Sequence, residues 1–423
     1  MQFKKTTLKN GLRIITVPLK NTETVTAMVL VSAGSDYETK EINGLSHFLE
    51  HMCFQGTVKR PNTGDVSREL DELGAQNNAF TSKEYTGYWA KAHSKHLPKL
   101  IDIVSDIYQN PIFTPDAIAI EKGVVIEEMK MYEDLPQSKV GEVFEELLYG
   151  LDQPAGWPVI GREHIVRNLT KQDLIDYRTK HYVAKGTVVV VAGKINEAKT
   201  IKLVADAFKN ISKAKKDKKI KTKEAQKSPQ VKLFYKETDQ AHLIIGFRAF
   251  PIGHKDNHKL GLLESVLSHG MSSRLFRKLR DDLGLCYYVR AGHDASLDRG
   301  YFAISSGVAK DRVKEAILAI LAECRKMKEE LVSDTELKKA KELRTSGLYL
   351  GLETSDQYAD YVAFPELLGQ KIKTPAEKVK KIESVKSKDV LTVAREIFVN
   401  AGLNLAIVGP YKDPKEFEEI LKI

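Results

Sequence analysis

The 423-residue chain repeats itself. Shifted by 216 positions, with no gap, Val166 meets Ile382, Leu169 meets Val385 and Asp173 meets Asp389. Leu174 then meets Val390, Gly186 meets Gly402 and Gly193 meets Gly409. Any two helix-turn-strand units share a hydrophobic rhythm, but two matched glycines and a matched aspartate make duplication the better account. A duplicated chain must build one fold twice. The length agrees, since 423 residues are many for a single hydrophobic core.

Local pattern says which fold. Residues 11–18 and 24–33 are rich in β-branched residues and read as strands, as do 79–82, 85–92 and 187–192. Helical spacing covers 94–109, 116–149 with a break near Pro136, 172–182 and 195–209. The second half follows with strands at 231–236, 242–250, 285–293, 300–308 and 403–408. Its helices are expected at 256–268, at 272–281 and over most of 310–397. The class this predicts is α+β: two homologous domains, each a mostly antiparallel sheet covered by helices.

Between the halves, residues 213–227 (KAKKDKKIKTKEAQK) carry eight lysines against Asp217 and Glu224 and no apolar period. A charge run of this kind is expected to be a solvated linker. The domains are therefore placed at 1–210 and 230–423, with the linker over 211–229. The same run holds +6 of the net +9, leaving 9 − 6 = +3 for the rest, so a nucleic-acid partner is not expected. No apolar run approaches the about 18 residues of a membrane span. The N-terminal residues do not read as a secretory signal. Three cysteines, Cys53, Cys286 and Cys324, are too few for a disulfide framework in a chain this long, and a cytoplasmic location fits best. Cys53 itself reads as a small buried hydrophobe.

The chemistry concentrates in His47-Phe48-Leu49-Glu50-His51. On a helix, His47 and His51 sit four apart on one face, a spacing that lets two imidazoles reach one metal ion. Glu50 falls near that face and can take a proton from an activated water. The order is the inverse of the H-E-x-x-H zinc motif. A zinc site needs a third ligand. The helical stretch after residue 116 offers Glu121 and Glu128, seven apart and two turns along one face, as ligand and outer-shell acceptor. Spacing alone does not choose between Glu127 and Glu128. The helix of the second half expected to match, near 257–268, has no such motif.

H-x-x-E-H followed by Glu121-Lys122-Gly123-Val124-Val125-Ile126-Glu127-Glu128-Met129 resembles the M16 peptidases, the group of pitrilysin, insulin-degrading enzyme and mitochondrial processing peptidase. Arg60-Pro61, Leu70 through Ala75 and Asn78 through Glu84 resemble the first domain of that family. Met271 through Phe276 and Arg280 through Tyr287 resemble its second. The size is similar to that of the short, M16B-like branch, whose subunits pair into a clamshell. The resemblance implies a fold like that of LuxS and the processing peptidases. It also implies zinc, one ion per subunit, bound by His47, His51 and Glu128, with Glu121 behind them and Glu50 as general base. Arg280 and Tyr287 match the family's Arg/Tyr pair, which in a homodimer of short subunits comes from the partner chain. The strand Asn78, Ala79, Phe80 and Thr81 would bind the main chain of a peptide or unfolded-protein substrate. A non-catalytic partner subunit is the alternative, although the long glycine-rich loop of the processing-peptidase partner is absent.

Overall fold

A computed structural model describes residues 1–423. The first half of the chain forms β1 (Lys4–Thr7), β2 (Arg13–Pro18), β3 (Thr24–Val31), α1 (Leu45–Met52), α2 (Asp65–Glu72), β4 (Gln76–Thr81) and β5 (Thr86–His93). It continues with α3 (Leu97–Gln109), α4 (Pro115–Asp134), α5 (Pro136–Tyr149), α6 (Glu163–Asn168), α7 (Lys171–His181), β6 (Thr187–Gly193) and α8 (Glu197–Ala207). The second half forms β7 (Gln230–Tyr235), β8 (Gln240–Arg248), α9 (Asn257–Ser268), β9 (Cys286–Ala295), β10 (Gly300–Ala309) and α10 (Val313–Glu329). Then come α11 (Asp334–Leu350), α12 (Ser355–Leu367), α13 (Pro375–Glu383), α14 (Ser387–Ile397), β11 (Leu403–Gly409) and α15 (Lys415–Glu418).

The duplication is visible in these bounds. Adding 216 to α7 gives 387–397, which is α14, and adding it to β6 gives 403–409, which is β11. The matched aspartates have a physical reason. Asp173 Oδ2 accepts the Thr170 backbone N–H at 2.8 Å, and Asp389 Oδ2 accepts that of Lys386 at 2.9 Å. Each carboxylate sits in the first turn of its helix, where it satisfies an orphan donor and complements the helix dipole.

The sheets repeat as well. The first runs β1-β2-β6-β3-β5-β4 and the second β7-β11-β8-β10-β9. In both, one parallel pair (β2 with β6, β7 with β11) joins otherwise antiparallel neighbours. The second sheet has no counterpart of β1, the only strand the sequence pattern did not anticipate.

Two compact units contain these sheets, but they are not continuous stretches of chain. One comprises Met1–Met129, Trp157–Ile220 and Leu350–Lys373, and the other Lys130–Gly156, Lys221–Tyr349 and Thr374–Ile423. Boundaries at 210 and 230 therefore misplace two helices. In the first unit, the odd face of the sheet (Val25, Ala27, Val29, Val189) packs on α1 and α3. Its even face (Met28, Leu30, Val188, Val190) packs on Ala359, Val362 and Ala363 of α12, a helix from the second half of the chain. In the second unit, Leu243, Ile245 and Leu405 pack on α9, α10 and α14. The opposite face there is covered by α5, a helix from the first half, through Val140, Val143 and Phe144. Fully burying one such aliphatic side chain stabilises by about 1.5–3 kcal/mol, so a sheet with two apolar faces needs a cover on both. Phe144 lies so close over β8 that a Cβ added at Gly246 would sit 2.1 Å from its ring.

The lysine run forms neither helix nor strand, but it is not simply solvated. Lys216 Nζ meets Ser32 Oγ at 2.9 Å. Lys219, only 10% exposed, bridges the buried Asp36 (3.1 Å) and Glu84 (2.5 Å). Two buried carboxylates in reach draw a lysine out of water that its neighbours in sequence do not predict.

Candidate metal centre and active site

Helix α1 buries Leu45, Phe48, Leu49 and Met52 at i, i+3, i+4 and i+7 and turns His47, Glu50 and His51 to the other side. Its start is held from outside. Gly44 caps it at φ 97, with no room for a side chain, since a Cβ would lie 2.7 Å from Gly161 Cα. The fully buried Glu38 accepts the first free backbone donors, Gly44 N at 2.8 Å and Ser46 N at 2.7 Å, and Asn43 Nδ2 at 3.0 Å. The helix that carries the motif is thereby fixed at its N-terminus.

The two imidazoles are 4.7 Å apart, centroid to centroid. Glu128, on α4, brings Oε2 to 3.7 Å from His47 Nε2 and 3.5 Å from His51 Nε2. One ligand atom from each of the three lies within 4.8 Å of the others. Ligand atoms around a tetrahedral zinc ion, at bonds of about 2.0–2.2 Å, stand about 3.3–3.6 Å from one another. The donor set and its spacing therefore fit zinc, and it is Glu128 rather than Glu127 that stands with the two histidines. Glu121, 4% exposed, stands one layer out, with Oε1 accepting His51 Nδ1–H at 2.8 Å. That bond leaves the Nε2 lone pair of His51 turned toward Glu128. Gln55, which sequence reasoning missed, donates Nε2–H to Glu121 Oε2 at 2.6 Å. It lies four residues after His51, and the helical spacing was its only signal.

Burial, with the nearby His51, pushes His47 down to about 3, so its ring is neutral and can offer a lone pair. Burial opposes charge on His51 as well, but the Glu121 hydrogen bond and charge outweigh it and raise that ring. Burial, with the charge of Glu128, raises the Glu50 carboxyl above its ordinary value, against the hydrogen bond from Thr81 and the charge of His51. Thr81 Oγ1 donates to Glu50 Oε2 at 2.6 Å, a contact the sequence did not announce. Thr81 ends β4, the edge strand of its sheet, and Asn78, Ala79 and Phe80 precede it there. Cys53 is wholly buried and pushed up to about 11, the state of an inert thiol.

The other predicted pair lies in the second unit. Arg280 sits in a π-helical stretch, Phe276–Asp282, where an α-helix was expected. Its Nη1 donates to the Tyr287 carbonyl at 3.2 Å, and its guanidinium lies 5.0 Å from the Tyr287 ring centre and 4.9 Å from that of Phe276. Tyr287 is 78% exposed. Arg280 and Tyr287 thus come together with each other.

Residues 13–155 match the family model described as insulinase, peptidase family M16. Residues 168–344 match that of the peptidase M16 inactive domain. A protein named an uncharacterized zinc protease, YmxG of Bacillus subtilis, is 33% identical over 96% of this chain and 98% of its own length. The chain belongs to peptidase family M16. An uncharacterized zinc protease of Streptomyces coelicolor is 31% identical over 97% of the chain and 90% of its own. Among solved structures, a protease from Helicobacter pylori superposes with a TM-score of 0.89 at 24% identity, covering 97% of this chain and all of that one. An M16 inactive domain from Pseudomonas fluorescens gives 0.88 at 16%, covering 97% and 98%. These two likenesses show the shared α+β fold. No helix is long and apolar enough to cross a membrane.

Proposed function

We propose that this M16 protein is a zinc-dependent endopeptidase that cleaves peptides or small unfolded proteins inside a chamber closed by two copies of the chain. The observation that carries the reading is the convergence of His47, His51 and Glu128 on one point, with Glu50 on the same helix face. The naming of the Bacillus and Streptomyces relatives as zinc proteases supports it. His47, His51 and Glu128 would hold one zinc ion per subunit, which when bound supplies Lewis-acid polarisation and lowers the pKa of water.

The chain's own residues do the rest. Glu50 takes the proton of the attacking water and returns it to the leaving amine. Glu121, steadied by Gln55, keeps His51 in one tautomer and orientation. The outer edge of β4 offers main-chain groups to an extended peptide, which joins the sheet as a further strand with little demand on sequence. In a homodimer, Arg280 of the partner subunit and Tyr287 of the partner subunit would donate to the developing oxyanion. The three free cysteines suit a reducing compartment such as the cytoplasm.

The test is Glu50→Gln. It is expected to keep zinc, measured by metal analysis, and to lose about 10²–10⁴-fold in the rate of peptide cleavage. Cleavage at the wild-type rate would sink the mechanism. A wild-type protein that binds no zinc, even when zinc is added, would favour a scaffold subunit.

A further inference from the structure

A strand has two faces, and in β4 the odd residues Asn77, Ala79 and Thr81 share one of them. Ala79 packs into the same core as Leu45, Phe48, Leu49 and Met52 of α1, so this face looks onto the metal-binding helix. Phe80 points the other way, against Phe364 of α12, with ring centres 5.9 Å apart. Thr81 is the last residue of the strand and the one on that face bearing a hydroxyl. The hydroxyl hydrogen goes to Glu50 Oε2 at 2.6 Å. A short bond to a carboxylate is of the charge-assisted kind, and it fixes the carboxylate plane. With Oε2 occupied, Oε1 is left as the oxygen free to receive a proton.

We propose that Thr81 is the positioning residue of the general base, and that through it β4 sets base and substrate from a single backbone element. This rests on the reading of Glu50 as the base and of β4 as the edge that accepts the peptide. A substrate strand hydrogen-bonded to β4 takes its register from the β4 backbone. The same backbone, one side chain further on, sets where Glu50 Oε1 stands. Register and proton acceptor then cannot drift apart, which matters because misplacing a reacting group by about 1 Å can cost 10²-fold. Two features make threonine suit the position: its β-branch belongs in a strand, and its hydroxyl reaches the carboxylate.

Thr81→Val keeps the shape and removes the donor, and Thr81→Ser keeps the donor. With zinc content and thermal midpoint checked for both, Thr81→Val is expected to lower kcat by about 10- to 100-fold, the loss of one hydrogen bond to a charged group, and to leave KM within about twofold. Thr81→Ser should recover kcat to within about threefold. In the Glu50→Gln background, Thr81→Val should change nothing further, because the group it positions is gone. An unchanged kcat in Thr81→Val overturns the proposal. So does a rise in KM alone, which would make Thr81 part of the substrate strand only, or a serine variant as slow as the valine. If wild type cleaves no peptide at all, the peptidase reading itself fails, a result distinct from these.

Discussion

The two units share a sheet order, a parallel pair and a helix-strand segment that aligns without a gap, yet they do different things with the helix laid against the sheet. In α1, four apolar residues face the core and His47, Glu50 and His51 face away. In α9, Leu260, Leu262, Leu263, Val266 and Leu267 are buried, and its less buried residues, Asn257, His258, Lys259, Glu264 and Ser268, include no pair of histidines one turn apart. The second unit spends its exposed chemistry elsewhere, on Arg280 and Tyr287 beside a π-helical turn. π-helical turns recur at functional sites. Architecture and side chains therefore separate: both units share a sheet order, but only the first gathers His47, His51 and Glu128.

The deepest test of that comparison concerns which half of the chain stabilises which unit. Phe144 comes from the first half and packs in the second unit. Phe144→Ala is expected to cost about 3–5 kcal/mol. The loss should appear by hydrogen exchange in β8 and β11, with β3 and β6 spared. Loss of protection confined to β3 and β6 would break the exchange of helices between halves.

A smaller effect is expected at the metal centre. Glu121→Gln keeps an acceptor for His51 but removes the charge, and it should weaken zinc binding about 10- to 100-fold in competition with a chelator. An unchanged affinity would reduce the difference between the units to the three ligands alone.

The smallest effect sharpens the likeness itself. In the first unit Thr170 Oγ1 accepts the Asp173 N–H at 3.2 Å while Asp173 answers, a two-way cap. In the second, Lys386 stands in the threonine's place, and the Asp389 N–H goes to the Lys386 carbonyl at 2.8 Å in place of a side-chain oxygen. Lys386→Thr should restore the missing half and stabilise by about 0.5–1 kcal/mol, seen as a raised thermal midpoint. A lowered midpoint would show that the second cap is not equivalent to the first.

Much of this was legible before any coordinates, and the reason lies in which interactions are local. Helices α7 and α14 and strands β6 and β11 announce themselves because period, cap and glycine lie within some twenty residues of one another. The candidate ligands on α1 were legible for the same reason, two imidazoles one helical turn apart. Glu128 needed the family resemblance, since Glu127 offers the same chemistry one residue away. The side-chain contacts that were not legible join residues distant in sequence: Thr81 with Glu50, Gln55 with Glu121, and Lys219 with Asp36 and Glu84.

By itself the sequence determined that one fold is built twice, that it mixes helices with mostly antiparallel strands, and that the H-x-x-E-H spacing occurs on the motif helix of the first copy and not on its counterpart in the second. Periodicity and spacing encode those facts directly. Tertiary structure alone decided that α5 and α12 each cover the sheet of the other half, because an apolar helix face is satisfied by any apolar sheet face of the right shape. It also decided that Glu50 is held by a threonine from an edge strand, because a side-chain hydrogen bond between two distant residues leaves no mark on the pattern of either.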